Sequence, residues 1–373
     1  MGTAALLLAI VVGLIWGWPG FGHRVVGERA QRVAASPQFR GRSFRNPQPL
    51  RNSYWGMVRE SFRKSPHTSP ATPPVPDRPG PQIWATPPVT GLRVTWLGHS
   101  TTLVEVDGLR VLTDPVWSDQ VGPMAGVGPR RFFPPPIALA DLPAIDVVVI
   151  SHDHFDHLDM ATMRAMRGWK TRFVVPLGVG AHLEYWGIPP SQIVELDWWG
   201  QVQVGALSVV CTPARHASGR MLIDDDAKLW AGWALLGPHH RVYYSGDTGL
   251  FPAMREIGAR LGPFDLTMIE VGQYGSAWPD WHIGPEQAIT AHGWVRGRVL
   301  LPVHWGAFAL AFHGWTEPIE RALVAGQAAR ATLVTPRPGQ PIEPLVPSPQ
   351  ERWWPAVPWK TGAQDPIVSS QIE

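Results

Sequence analysis

The sequence predicts a layered α/β domain with mixed sheets over residues 91–345. Segments with strand patterns alternate with segments of helical periodicity from residue 91 onward. The run IDVVVIS at 145–151 is continuously apolar and β-branched, which is typical of a strand buried on both faces. An Asp107-Gly108 dipeptide separates two alternating segments, which predicts a hairpin. The chain is therefore expected to place strands and helices in packed layers.

The elements follow one another in a regular order. The first predicted strands are LRVTWLG at 92–98, TTLVEV at 101–106 and LRVLT at 109–113. Later predicted strands are RFVVPLG at 172–178, ALSVVCTPA at 206–214, RVYYSGD at 241–247, LTMIEVG at 266–272 and RVLLPVH at 298–304. Helical patterns occur at 157–166, 180–187, 251–262, 284–295 and 316–326.

Composition narrows the kinds of site that this chain can build. The chain has 373 residues, 14 His and one Cys, Cys211, which excludes internal disulfides and thiolate-rich metal sites. The net charge of +2 combines +8 over residues 23–64 with −6 over residues 65–373. A nucleic-acid-binding fold carries its basic face on the domain itself, so no nucleic-acid partner is expected.

The N-terminus predicts association with a membrane. Residues 4–18 form an apolar run, expected to be an uncleaved anchor with Trp16 and Trp18 at the interface. The basic segment after this run predicts that the rest of the chain lies on the cytoplasmic side of the membrane. The alternative is export directed by a cleaved signal peptide. The expected organisation is an anchor or signal at 1–22, a basic and then Pro-rich linker or arm at 23–90, the α/β domain at 91–345 and a tail at 346–373.

Clustered metal-ligating side chains follow the buried strand. His152 and His154 alternate and can share a face, whereas Asp156 and His157 project toward a second position. Three more candidates stand at later strand ends: His216, Asp247 and His304. Taken singly, Asp247 could cap a helix and His304 could be a core residue. Taken together, they complete the sets His152/His154/His216 and Asp156/His157/His304, with Asp247 able to bridge, and such sets suit zinc, with iron or manganese as alternatives.

These motifs resemble the metallo-β-lactamase superfamily, and within it the N-acylphosphatidylethanolamine-hydrolysing phospholipase D family and its bacterial relatives. The segments TWLGHSTTLVEVDGLRVLTDPVWS, SHDHFDHLD, YYSGDTGLFPAMREIGARLGPFDL and PVHWGAFALAF carry the resemblance, from about residue 92 to 323. It implies a four-layer αββα sandwich and two zinc ions per chain on the ligands just named.

The same resemblance implies roles for residues around the metals. His282 is expected near the substrate phosphate, and Asp156, Asp247 and His282 form the expected catalytic group. His99 is expected to hold the ligand residues in place without binding a metal itself. The loop after Glu270 departs from the family pattern, so its residues are expected to reshape the acyl pocket: Gln273, Tyr274, Trp278 and Trp281.

The resulting functional expectation is hydrolysis of a phospholipid by a metal-bound hydroxide. The expected products are phosphatidic acid and an N-acylethanolamine. Three alternatives stay open: a lactonase or carboxylic ester hydrolase on the same site, a nuclease, and an interaction protein with a structural metal site. A phospholipid or other ester is the expected small partner, and the sequence carries no signal for the oligomeric state.

Overall fold

The computed structural model describes residues 17–221, 224–347 and 351–373. Within these ranges no helix combines the length and apolar character needed to cross a membrane. This finding corrects the expected membrane location, and the cytoplasmic orientation that depended on an anchor falls with it. Residues 4–16 of the apolar run lie outside the described ranges. Trp18, expected at a membrane interface, donates its indole N–H to the carbonyl oxygen of Pro123 at 2.6 Å.

The basic segment forms local structure and contacts the body. Its elements are α1 (Gly27–Ala35), β1 (Phe39–Arg40), β2 (Ser43–Phe44) and α2 (Tyr54–Ser61). Arg29 in α1 pairs with Glu184 at 2.9 Å and with Glu195 at 2.8 Å, and Arg32 also pairs with Glu195 at 2.8 Å. Part of the +8 charge therefore faces carboxylates 155 to 166 positions away, a pairing that local sequence patterns do not indicate.

Fourteen strands of the described residues form two seven-stranded sheets. They are β3 (Leu92–Gly98), β4 (Thr101–Val106), β5 (Leu109–Thr113), β6 (Val147–Val149), β7 (Arg172–Pro176), β8 (Ile193–Leu196), β9 (Gln201–Val204), β10 (Leu207–Thr212), β11 (Gly232–Leu236), β12 (Arg241–Tyr244), β13 (Phe264–Glu270), β14 (Gly297–Val303), β15 (Thr332–Leu333) and β16 (Pro341–Ile342). The first sheet has the order β16-β3-β4-β5-β6-β7-β8, and the second has the order β15-β14-β13-β12-β11-β10-β9.

Both sheets are mixed, as predicted. The β3–β4–β5 meander is antiparallel, and its last turn has φ of 49° at Asp107 and 86° at Gly108, as a two-residue hairpin requires. In contrast, β5 to β8 pair in parallel, and so do β12 to β15.

Five further helices complete the layers: α3 (Met160–Ala165), α4 (Gly180–Tyr185), α5 (Ala253–Leu261), α6 (Pro285–Trp294) and α7 (Glu317–Ala329). In β6, Val147 and Val149 point into the core between the sheets, whereas Val148 and its neighbour Ile150 pack with the apolar side chains of α3 and α4. On the other sheet α6 packs on β13 and β14. The order helix, sheet, sheet, helix confirms the expected mixed α/β sandwich.

Candidate metal centre

The predicted metal-ligating residues gather at one edge of the sandwich, just beyond the ends of four strands. His152 and His154 follow β6, His216 follows β10, Asp247 follows β12 and His304 follows β14. Because β12, β13 and β14 are parallel neighbours, their carboxyl ends meet at the same edge. This is where α/β sheets commonly bind ligands.

The first predicted set is assembled as expected. The ligand atoms of His152, His154 and His216 all lie within 4.8 Å of one another. His154 Nδ1 is 2.8 Å from His152 Nε2 and 3.3 Å from His216 Nε2. Burial lowers the pKa of His152 and His216 well below the ordinary value. Their rings are therefore neutral at pH 7, which is the form that binds a metal.

The second predicted set is also assembled, with one addition. Asp156, His157 and His304 place their ligand atoms within 4.8 Å of one another and of His99. His99 Nε2 lies 2.9 Å from Asp156 Oδ2. Burial lowers the pKa of His99 to about 4. His99 therefore orients the Asp156 carboxylate.

Asp247 lies between the two sets. Its Oδ2 is 3.0 Å from His157 Nε2 and 3.8 Å from the Nε2 atoms of His152 and His216. Its Oδ1 is 3.1 Å from His304 Nδ1. One carboxylate thus reaches both groups of histidines, which is the geometry that a bridging ligand needs.

The donor atoms fit divalent cations. His157 Nε2, Asp247 Oδ1 and His304 Nε2 are buried and make no well-aligned hydrogen bond among the described residues, although Asp247 lies within 3.1 Å of both rings. Such atoms are rare in folded proteins unless an ion or water satisfies them. Burial raises the pKa of Asp247 to about 7. Burial alone would lower the pKa of His157, but the Asp247 and Asp156 carboxylates outweigh it and hold that pKa well above the ordinary value. The cluster therefore favours positive charge at its centre, and imidazole and carboxylate donors suit zinc or iron.

Asp114, which follows β5, is a supporting residue that the sequence analysis missed. Its Oδ2 lies 2.6 Å from His157 Nδ1, and its Oδ1 accepts from the Ser151 N–H at 2.7 Å. The carboxylate thereby fixes the His157 ring with Nε2 toward the cluster. Its place in LTDP, at the end of a strand, was the available signal.

Glu270, at the end of β13, is a second residue without a predicted role. Its Oε2 is 2.8 Å from His282 Nδ1, and its Oε1 accepts from the Thr248 N–H beside Asp247. The structure thus brings His282 to the cluster, because the ligand atoms of Asp247, Glu270, His282 and His304 also lie within 4.8 Å of one another. Burial raises the pKa of Glu270 well above the ordinary value.

His216 is oriented by main-chain contacts and by a third residue that was missed. Its Nδ1 lies 2.8 Å from the Trp281 carbonyl oxygen, so Nδ1 carries the proton and Nε2 is left for a metal. The Asn46 side-chain amide donates to the His216 carbonyl at 2.7 Å and accepts from its N–H at 3.2 Å. The arm before the domain therefore helps to build the centre.

Four residues around the cluster have left-handed backbone conformations. His99, Asp114, Gln273 and His304 have φ of 54°, 34°, 62° and 64°. Such conformations are costly for residues other than glycine and persist where the surrounding structure imposes them, often at functional sites.

An apolar cavity of about 310 Å³ opens over the cluster. Besides cluster residues, its lining consists of Met57, Gln273, Trp278, Trp281, Leu310 and Phe312. Three of the four expected pocket residues thus line it. Tyr274 does not, because its hydroxyl donates to Glu317 at 2.9 Å and its ring stacks on His313 beside a neighbouring cavity.

Comparisons with known proteins agree with this geometry. The family model described as Beta-lactamase superfamily domain matches residues 109–305. An uncharacterized protein of Mycobacterium tuberculosis is 54% identical over 70% of this chain and 72% of its own length. The N-acyl-phosphatidylethanolamine-hydrolyzing phospholipase D 1 of Caenorhabditis elegans is 39% identical over 59% of this chain and 65% of its own length.

A solved structure is also similar. A metallo hydrolase from the archaeon Ignicoccus hospitalis superposes with a TM-score of 0.52 and 26% identity, covering 67% of this chain and 97% of that one. Together with the family match over residues 109–305, these findings show that the chain belongs to the metallo-β-lactamase superfamily of metal-dependent hydrolases.

Proposed function

We propose that this protein is a dinuclear zinc phosphodiesterase of phospholipase D type that acts on N-acylphosphatidylethanolamine-like lipids. The observation that carries the proposal is the apolar, aromatic cavity directly over two adjoining His/Asp sets. A phosphodiester beside the cluster would leave its acyl chains to contact the Trp, Phe, Leu and Met side chains. The name of the Caenorhabditis elegans relative supports the same substrate class.

The chain supplies ligands for two cations. His152, His154 and His216 would hold one, Asp156, His157 and His304 would hold the other, and Asp247 would contact both. When bound, two zinc ions would acidify water and act as Lewis acids toward phosphoryl or carbonyl oxygens.

His282 is positioned to bind the substrate phosphate. Glu270 holds its Nδ1, and its ring stacks on His304 with centroids 5.2 Å apart. Its Nε2 has no hydrogen-bond partner among the described residues, and the side chain lines the cavity. Because burial raises the pKa of Glu270 well above the ordinary value, its protonated carboxyl group can donate to Nδ1. The neutral His282 ring then carries its proton on Nε2 and can donate it to a phosphate oxygen.

The outer face of α2 supports a lipid substrate. Trp55 is 82% exposed and Phe62, just after the helix, is 85% exposed, whereas Met57 of the same helix lines the cavity. Arg59 follows Trp55 by four positions, and Arg63 directly follows Phe62. Exposed aromatics next to cations match the surface of aggregated anionic phospholipid, so the mouth of the cavity would face such an aggregate.

The direct test compares three substrate classes with purified, zinc-loaded protein. We expect N-acylphosphatidylethanolamine to yield phosphatidic acid and N-acylethanolamine in equal amounts, measured by mass spectrometry. An acyl lactone and single-stranded RNA should react far more slowly. Faster lactone opening would replace the proposal with a carboxylic ester hydrolase, and RNA cleavage would replace it with a nuclease.

A surface variant tests the lipid-facing role of α2. Because Trp55 and Phe62 would bury part of their apolar area in the lipid, W55S/F62S should lower the rate on vesicles about tenfold. The rate on a short-chain, monomeric phosphodiester should stay unchanged. The matched control is V89S/V368S, which removes exposed apolar side chains elsewhere. Equal rates on vesicles for all three proteins would exclude this role.

A further inference from the structure

Arg220 is a buried cation behind the ligand loop, residues 152–157. The whole residue is only 5% exposed to solvent. Nη1 donates to the carbonyl oxygen of Asp153 at 2.7 Å and to that of Leu158 at 2.9 Å. One nitrogen therefore joins two main-chain groups that bracket the stretch carrying Asp156 and His157.

The other parts of the guanidinium are also engaged. Its carbon lies 4.0 Å from the ring centroid of Phe155, inside the ligand loop, and 5.2 Å from that of Trp186. Nε donates to the Gly20 carbonyl at 2.9 Å. A planar group held by two rings and three carbonyls has little freedom to move, so it can act as a rigid support for the loop.

A second connection reinforces the first. The Asp153 side chain points away from the metal cluster, where its Oδ1 accepts from the Gly219 N–H at 2.8 Å. Its Oδ2 lies 3.1 Å from His182 Nε2 and 3.6 Å from Lys228 Nζ. Gly219 thus holds the side chain of Asp153, and Arg220 holds the main chain of the same loop. His216 precedes Arg220 by four positions, so the same segment links the first-set ligand to the loop.

Stability alone does not account for a charge at this place. No carboxylate among the described residues lies within ion-pair distance of Arg220. A buried charge without a direct counter-ion is costly, and an apolar side chain of similar volume often serves stability as well or better. The hydrogen bonds to the loop carbonyls are what an apolar side chain could not supply.

We propose that Arg220 is a positioning residue, which sets the shape of the ligand loop so that its histidines and Asp156 converge on the metals. This inference rests on the proposed metal site. Ligand geometry must be held closely by surrounding contacts for tight binding, and loss of such contacts loosens the metal without removing any ligand.

The test measures metal release from R220M and R220K, with R93M as the matched control. Arg93 is equally buried, donates to the carbonyls of Ile83 and Thr86 and also pairs with buried Glu105, so its loss is at least as disruptive to packing. It lies at the start of β3, away from the cluster. Release of zinc to a chromogenic chelator is followed at a temperature where circular dichroism shows every variant folded. We expect R220M to release zinc about 10–100-fold faster than the wild type, and R93M to stay within about twofold.

A cobalt-substituted sample supplies a readout of geometry. The visible spectrum of R220M should shift relative to the wild type, R220K should fall between them, and R93M should match the wild type. If R220M does not fold, R220K and Phe155→Leu carry the test. Equal release rates and spectra for the wild type and the Arg220 variants would overturn the role, as would equally fast release by R93M. A wild-type protein that holds no metal would overturn the proposed site and this inference with it.

Discussion

An aspartate contacts histidines at each end of strand β12, and the two arrangements differ in one respect. At the start of the strand, Asp107 of the β4–β5 hairpin is fully paired with protein groups: Oδ2 accepts from the N–H groups of His239 and His240, and Oδ1 lies 2.7 Å from His240 Nδ1. After the strand, Asp247 is buried among five histidines, and its Oδ1 has no hydrogen-bond partner among the described residues.

The pKa values follow from this difference. Burial alone would raise the pKa of Asp107, but its hydrogen bonds to His240 and His239 outweigh burial and hold it below the ordinary value. Burial raises the pKa of Asp247 to about 7. The same residue types thus form a fully hydrogen-bonded structural contact at one end of the strand. At the other end they leave buried polar atoms without hydrogen bonds. An incomplete buried cluster of carboxylate and imidazole is what a cation would complete.

The largest expected effect separates the two aspartates directly. Asp247→Asn removes the carboxylate that reaches both histidine sets, so hydrolysis should fall at least about 1000-fold, equivalent to about 4 kcal/mol. Its metal content, by elemental analysis, should fall from about two ions per chain. Asp107→Asn is the matched control and should keep both the rate and the metal content. A fully active Asp247→Asn protein would show that the carboxylate does not bridge.

A smaller effect is expected from the support behind His157. Asp114→Asn leaves every proposed ligand in place but removes the charge that orients the His157 ring, so zinc affinity should fall about 10–100-fold. Competition with a chelator of known affinity measures it. Asp146→Asn, at the start of β6, removes a carboxylate that accepts from the Arg110 N–H at 2.8 Å, far from the cluster. Equal losses in the two variants would mean that the effect is one of general stability.

Strand ends explain how much of this centre could be predicted from the sequence. The alternation of His152 and His154 after a buried strand, and the later strand-end residues, are local signals, and the structure brings these residues together. Their role as metal ligands stays a prediction. The hairpin at Asp107-Gly108 was predictable for the same reason, because a dipeptide dictates its geometry.

The supporting residues depend on contacts between distant segments. Asp114, Asn46 and Arg220 reach ligand residues or the ligand loop across 43, 170 and 67 positions. A lone Asp, Asn or Arg has no pattern of its own, so the sequence does not show which partner it meets. The same reasoning explains Tyr274, which follows Gln273 in the chain but turns to Glu317 in the adjacent cavity.

The smallest effect concerns stability and its dependence on pH, where the two aspartates should show opposite signs in metal-free protein. Asp107 has a depressed folded-state pKa, so it stabilises the fold above the ordinary carboxyl pKa of about 3.9, and this contribution disappears as pH falls through the depressed value. Urea unfolding should therefore show Asp107→Asn less stable than the wild type at pH 7 by about 1 kcal/mol, with the difference closing in acid. Asp247 has a raised folded-state pKa, so its ionisation opposes folding as pH rises from about 4 toward about 7. Metal-free Asp247→Asn should gain stability relative to the wild type over that same interval. A parallel pH dependence for both variants would show that the two ends of β12 do not differ in the way their contacts indicate.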